Sequence, residues 1–229
     1  MPSLAFINNL MQYQNISINH FAHDCFQIKA NNQIIYFDPY KLEANQIETA
    51  DFVFITHGHF DHCSPEDLQK IVTDQTVIIA SAECESTIKD LKPKEFHYLK
   101  PGEDLSVDSL RVQAVQAYNI NKLREDGLPF HSPQGDELGY VVEVGGVRIY
   151  HAGDTDNIPE LADLKDIDLA LLPVSGTYVM TAVEAIQAVK LIMPKIAIPM
   201  HYGSVVGTIA DAETFKQQLE GSVIKVEII

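Results

Sequence analysis

Apolar positions along this 229-residue chain come in short blocks parted by polar turns, not in long stripes. The run "DFVFITH" at 51–57 is apolar without alternation, as in a strand buried on both faces. "TVIIAS", "IDLALLPVSG" and "KIAIPMH" have the same character, whereas "LRVQAVQAY" alternates like a half-buried strand. Two hairpins are expected where apolar runs flank turn residues. One is "CFQIKANNQIIYFDPY", turning at Asn31-Asn32; the other is "GYVVEVGGVRIYHAGD", turning at Gly145-Gly146. "VIKVEII" reads as a closing strand.

Helical signals lie between these strands. "SPEDLQKIV" places Ser64 at an N-cap, Pro65 at the first turn and Asp67 at N3. Ser81 can cap a short helix running to Leu91, and "NIPELADL" reads as another. "TAVEAIQAVKLIM" carries a capping box, Thr181 to Glu184, and is stopped by Pro194. "DAETFKQQLEG" is a last helix with Gly221 beyond its end. Strands outnumber helices, and hairpins coexist with strand–helix alternation. The pattern predicts an α/β (α+β) domain of mixed sheets covered by helices. No Gly/Ser/Pro-rich linker divides the chain, so a single domain over 1–229 is expected.

Bulk numbers narrow the function. With 46% hydrophobic residues the chain can bury a sizeable core, and no apolar run approaches the ~20 residues that span a bilayer. The start "MPSLAFINNLMQYQN" lacks the basic region and small-residue cleavage site of a signal peptide, which makes the cytoplasm the expected location. A net charge of −16 repels phosphate backbones and anionic membranes, so neither nucleic acid nor membrane is an expected partner. A small-molecule substrate remains, and a homo-oligomer is left open. The three cysteines, Cys25, Cys63 and Cys84, lack CxxC spacing, which argues against a disulfide framework or a thiolate metal site. Cys63 is read as a buried thiol rather than a ligand.

The chemistry concentrates at strand ends. After "DFVFIT" come His57, His59, Asp61 and His62 within six positions. Crowded imidazoles and a carboxylate are costly unless something offsets their desolvation and repulsion. A metal does both, and i, i+2 spacing turns His57 and His59 to one face. Asp61 and His62 follow as the chain bends, and could serve a second ion ~3.5–4 Å away. The pattern recurs: "VRIYHAGD" ends in His151 and Asp154, and "IAIPMH" ends in His201. Three strand ends with ligand-type residues are hard to read as chance.

THGHFDH, then HAGDT, then PMHYG together resemble the metallo-β-lactamase-fold superfamily of metal-dependent hydrolases, over roughly 18–203. The nearest branch is that of the small single-domain metal-dependent hydrolases, related to L-ascorbate-6-phosphate lactonase and to N-acylphosphatidylethanolamine-hydrolysing phospholipase D. The resemblance implies an αββα four-layer sandwich with two internally related halves and two mixed β-sheets flanked by helices. It implies two divalent metal ions, zinc foremost with manganese or iron as alternatives. His57 and His59 would hold the first ion, Asp61, His62 and His201 the second, and Asp154 would bridge them. The family's third histidine for the first ion comes from a loop before the bridging aspartate. His131 is the histidine in "AVQAYNINKLREDGLPFHSPQGDELGY", so it is expected there, with Tyr118 or Asn119 as alternative occupants.

Asp61 and His23 are the candidate catalytic residues, His23 as a pocket residue similar to one in this branch. His151 is expected to support the site rather than bind metal, and His20 and His97 to be surface or structural. Lys122 and Arg124 are read as solvated, and Tyr178 and Tyr202 as packing or pocket residues. Two cations, two carboxylates and a shared hydroxide leave the centre at about +1, which could hold a small anionic substrate. The expected reaction is hydrolysis of a phosphodiester, lactone or acyl (thio)ester. Two rival readings use the same fold: iron-dependent oxygen or redox chemistry, and a metal-binding module without catalysis. Specificity is expected from loops 118–138 and 203–211.

Overall fold

A computed structural model describes residues 10–45 and 47–229. Most of the stretch read for a leader therefore lies outside the described residues. Fourteen strands form two seven-stranded sheets among these residues. The first sheet holds β1 (Leu10–Tyr13), β2 (Ile16–Ala22), β3 (Cys25–Ala30), β4 (Gln33–Phe37), β5 (Phe52–Ile55), β6 (Val77–Ser81) and β7 (Glu95–Leu99), in that order. The second holds β8 (Asp104–Val107), β9 (Leu110–Gln116), β10 (Leu138–Val144), β11 (Val147–His151), β12 (Leu169–Pro173), β13 (Ile196–Met200) and β14 (Lys225–Val226), also in sequence order.

The halves repeat one topology. In each sheet the first four strands pair antiparallel and the last four pair parallel. The expected internal relationship and the expected mixed sheets are both present. Asn31 and Asn32 turn the first hairpin at φ 52° and 61°, and Gly145 and Gly146 turn the second at 59° and 78°. Positive φ at both central residues matches the right-handed twist of the flanking strands.

Alternation on the strands sets the layers. Phe52 and Phe54 of β5 face the core between the sheets, while Val53 and Ile55 face a second cluster under helices. This two-sided burial explains why "FVFI" shows no polar residue. Two helices, α1 (Pro65–Ile71) and the single-turn α2 (Glu85–Ile88), place Leu68, Ile71 and Ile88 in that outer cluster. On the second sheet, α3 (Ala182–Ile192) packs on β12 and α4 (Ile209–Gln218) on β13. Ser64 caps α1 by accepting from the Asp67 amide, and the Thr181–Glu184 box caps α3, as expected.

Some expectations need correction. The helix expected from Ser81 to Leu91 is a 3-10 turn, Ala82–Cys84, followed by α2, and "NIPELADL" is a 3-10 turn at Pro159–Asp163. The closing strand pairs over two residues only. Strands β1, β2, β7 and β8 have no counterpart among the elements expected from the sequence. Three of them lie at sheet edges, where half-exposed faces dilute the apolar pattern. Among the described residues no helix is long and apolar enough to cross a membrane.

Candidate metal centre

The parallel strands deliver their C-terminal ends to one rim. There β5 runs into His57, β11 into Asp154 and β13 into His201. The turn between β2 and β3 adds His23 and Asp24, and the β9–β10 loop adds His131. After β5 the chain folds tightly: the His62 and Cys63 amides both donate to the His59 carbonyl, at 3.0 and 2.8 Å. That turn gives four polar side chains two directions before α1 begins.

The side chains gather in two groups around Asp154. In the first, one ligand atom each from His57, His59, His131 and Asp154 lies within 4.8 Å of the others. His57 Nε2 is 2.9 Å from His59 Nδ1, and His131 Nε2 is 3.4 Å from that same atom. His131, the histidine expected from the β9–β10 loop, lies in this group. Asn119 stands behind it. On the other side, Asp154 Oδ1 is 3.4 Å from His62 Nε2 and 3.3 Å from His201 Nε2. Asp154 Oδ2 faces His57 at 3.9 Å and His131 at 3.7 Å. One carboxylate thus turns one oxygen to each group.

Ligand atoms of Asp24, His62, Asp154 and His201 lie within 4.8 Å of one another, and so do those of His23, His62 and His201. Asp61 belongs to none of these groups; its Oδ2 lies 3.2 Å from His23 Nε2, at the pocket edge. The sequence placed Asp61 beside His62 and His201 and His23 apart from them; the structure draws His23 in more closely.

A second layer fixes which nitrogen of each ring is free. The Thr56 hydroxyl donates to Asp38 Oδ2 at 2.7 Å, so its oxygen accepts from His57 Nδ1 at 3.0 Å. Asp38 Oδ2 also accepts from His62 Nδ1 at 2.8 Å, and Asp38 Oδ1 from the Thr56 amide at 2.8 Å. Asn119 Nδ2 donates to the Tyr178 carbonyl at 2.7 Å, so Asn119 Oδ1 accepts from His131 Nδ1 at 3.0 Å. Ser175 Oγ lies 2.9 Å from His201 Nδ1 and donates toward the Thr177 carbonyl. At each of these four rings the partner beside Nδ1 favours the tautomer that keeps its proton there, and so turns Nε2 toward the centre. Sequence reasoning missed Asp38, Thr56 and Ser175, and considered Asn119 only as a stand-in ligand.

Electrostatics follow the same geometry. Burial holds the His57 imidazole well below its ordinary pKa and brings His131 down to about 4. Burial also acts on His62, but the carboxylates of Asp154, Asp38 and Asp24 outweigh it and raise that imidazole. His201 is raised by Asp154 and Asp24 against the same burial. Burial disfavours the charged Asp154 carboxylate, yet His201 and His62 hold it well below the usual range.

The remaining candidates divide cleanly. His151 is buried, stacked on Phe37 at 5.1 Å and bonded to the Asp24 carbonyl at 2.9 Å, so it supports the site. His20 is buried against Phe26 and the His23 carbonyl, and half-buried His97 faces Glu95. All three cysteines are buried and free. Lys122 is not merely solvated: it pairs with Glu184 at 2.8 Å and Asp156 at 3.4 Å. Arg124 bonds the Phe130 carbonyl and lies over its ring.

Above the centre opens a cavity of about 280 Å³. His59, Asp61, His131, Asp154 and His201 line its floor, and Phe60, Phe130, Tyr178 and Val205 its walls. Tyr202 does not line it; that ring packs beside His20 at 5.9 Å. A larger cleft of about 640 Å³ lies at the opposite end of the sheets, among Glu143, Arg148, Asp168 and Lys195. Among the described residues it holds none of the metal-type clusters, and it is open to solvent.

Known proteins resemble this chain in sequence and in fold. Residues 17–201 match the profile of the beta-lactamase superfamily domain. The chain is 32% identical over 214 residues to a metal-dependent hydrolase of Thermoplasma acidophilum, covering 89% of this chain and 90% of that protein. It is 31% identical to a metal-dependent hydrolase of Aeropyrum pernix, covering 92% of each. A crystal structure from Parabacteroides distasonis, described as a metal-dependent hydrolase, superposes with TM-score 0.83 at 31% identity, covering 96% of this chain and 97% of that one.

Proposed function

The chain belongs to the metallo-β-lactamase superfamily and is a metal-dependent hydrolase; on that premise we propose that it activates water between two divalent cations. The observation that carries this reading is Asp154, whose two oxygens face two separate histidine groups. Asp154 Oδ1 and His62 Nε2 are buried without a hydrogen bond among the described residues, a lack that a cation between them would relieve. His57, His59 and His131 would hold one ion, and His62, His201 and Asp61 the other, with Asp154 shared. Such ions lower the pKa of a shared water and polarise the bond under attack.

The protein's own groups do the positioning. Asp38, Thr56, Asn119 and Ser175 hold the ligand rings in one tautomer. Asp61, at the pocket edge, would accept the proton of the attacking water and orient it, with His23 3.2 Å behind. Imidazole and carboxylate donors suit zinc, manganese and iron alike.

The walls bear on the substrate. Among the described residues no lysine or arginine lines the cavity, and Lys122 and Arg124 are engaged elsewhere. An apolar flank on a small, uncharged acyl ester, thioester or lactone therefore fits the walls better than a phosphodiester. The anionic alternative draws on the centre's own positive charge alone. The test is elemental analysis of purified protein, paired with neutral apolar esters and phosphodiesters as substrates. Bound metal and hydrolysis lost in the His57→Ala, His59→Ala double variant are expected. Protein without metal, or undiminished turnover in that variant, would sink the reading; faster phosphodiester turnover would reverse the preference for a neutral substrate.

A further inference from the structure

His23 occupies the two-residue turn between β2 and β3 with φ of +57°, the left-handed region that a non-glycine residue adopts only when held there. Its carbonyl is pinned by the His201 amide at 3.1 Å and by His20 Nε2 at 2.8 Å. The backbone so held presents a fully buried imidazole to the centre, and neither ring nitrogen has a hydrogen-bond partner. Asp61 Oδ2 is near Nε2, yet the alignment is not that of a hydrogen bond. The His23 ring lies 4.0 Å from that of His201.

The His201 and His20 hydrogen bonds hold the strained backbone, but the buried ring itself has only the Asp61 carboxylate beside Nε2 and no partner at Nδ1 among the described residues. A cation would give the ring a partner. Two nitrogens on one ion at ~2.0–2.2 Å can stand no more than about 4.4 Å apart. The ligand atoms of His23, His62 and His201 lie within 4.8 Å of one another, close to that size. Behind them Asp24 is fully buried, its carboxylate oxygens without a hydrogen bond and one of them 4.0 Å from His62 Nδ1.

We propose that His23 is itself a ligand of the second cation, alongside His62 and His201. This rests on the two-metal reading above and deepens it. With Asp154, which groups with His62 and His201, the second site then offers four protein donors, and the buried carboxylate of Asp24 lies in the same reach of His62, Asp154 and His201. A fifth donor there would favour a five- or six-coordinate ion such as manganese, iron or nickel over a closed tetrahedral zinc. His23 thereby changes from a catalytic candidate to a metal-holding one.

Crystals grown with Mn(II) and measured around its absorption edge decide the point directly. An ion within about 2.0–2.4 Å of a His23 nitrogen is expected. An ion in the second site more than 3 Å from that ring would overturn this proposal alone, whereas an empty second site would overturn the two-metal reading with it. In solution, His23→Gly keeps the positive φ without strain and leaves room for a free imidazole. Mn(II) titration of this variant should show the second ion weakened about tenfold or more, the first ion unchanged, and affinity restored by added imidazole. Unchanged binding, or loss that imidazole does not restore, counts against ligation.

Discussion

Replacing Asp38 by asparagine probes the hydrogen-bond layer more sharply than removing a ligand. The buried Asp38 carboxylate accepts from the Thr56 amide through Oδ1, and from the Thr56 hydroxyl and His62 Nδ1 through Oδ2. Asparagine has one accepting oxygen and one donating NH₂. If its oxygen faces the Thr56 amide, the NH₂ meets His62 Nδ1. The proton of that ring must then move to Nε2, which blocks the lone pair meant for the metal. Supporting hydrogen bonds of this kind are worth about 10–100-fold in metal affinity, or roughly 1.4–2.7 kcal/mol. If the amide flips, His62 keeps its tautomer, but two donors face each other at Thr56. A buried donor left unpaired costs about 1–3 kcal/mol, which for a domain of this size lowers Tm by roughly 2–12 °C.

The variant should therefore fail on one side or the other. Competition against a chelator measures affinity for the second ion, and thermal unfolding of the metal-free protein measures stability. Expected is a second-site affinity down at least tenfold with Tm nearly unchanged, or Tm down several degrees with affinity kept. Wild-type values on both measurements would refute the inferred proton positions at Thr56 and His62.

Three further expectations follow from the same structure. Asn119→Ala frees His131 Nδ1, so affinity for the first ion should fall about 10–100-fold by chelator competition while the second ion holds; equal weakening of both would contradict it. In Gly153→Ala the new Cβ would meet the Leu138 carbonyl at 2.5 Å in a backbone at φ +59°. Urea unfolding should show a loss of more than about 1 kcal/mol, with bound metal reduced because Asp154 is next in sequence; a neutral effect would contradict the tight approach at that turn. Burial disfavours the charged form of Glu184, but hydrogen bonds from Lys122, Asn121 and Thr181 outweigh it and bring its pKa from 4.5 to about 2. Its stabilisation is thus complete above pH 4.5 and fades as pH falls toward 2. Urea unfolding of Glu184→Gln should give a curve that converges on wild type over that window; parallel curves would contradict this assignment.

Much of the site was legible because its signals are local. "THGHFDH" puts imidazoles and a carboxylate at the end of a run whose burial is plain from its composition, and Asp154 and His201 repeat the device. His131 was legible for a weaker reason: no other histidine lies in the loop, and only the fold sets its ring against His59, 72 positions away. Asp38, Thr56 and Ser175 carried no signal. Aspartate before proline, threonine at a strand end and serine after a strand are ordinary residues, and their role lies in contacts with other segments.

The sequence by itself determined the blocks: which runs are strands buried on both faces, where the hairpins turn, how α1 and α3 are capped, and which strand ends carry ligand chemistry. These follow from side-chain periodicity, turn preferences and the cost of crowding polar groups, all of which act over a few residues. Only the tertiary structure decided the edge strands, the pairing of two repeated halves, and the apolar walls of Phe60, Phe130, Tyr178 and Val205. It alone put His23 beside His62 and His201 while Asp61 stayed at the rim. Those features depend on the direction in which a side chain leaves one segment to meet another, and direction is set by packing rather than by spacing along the chain.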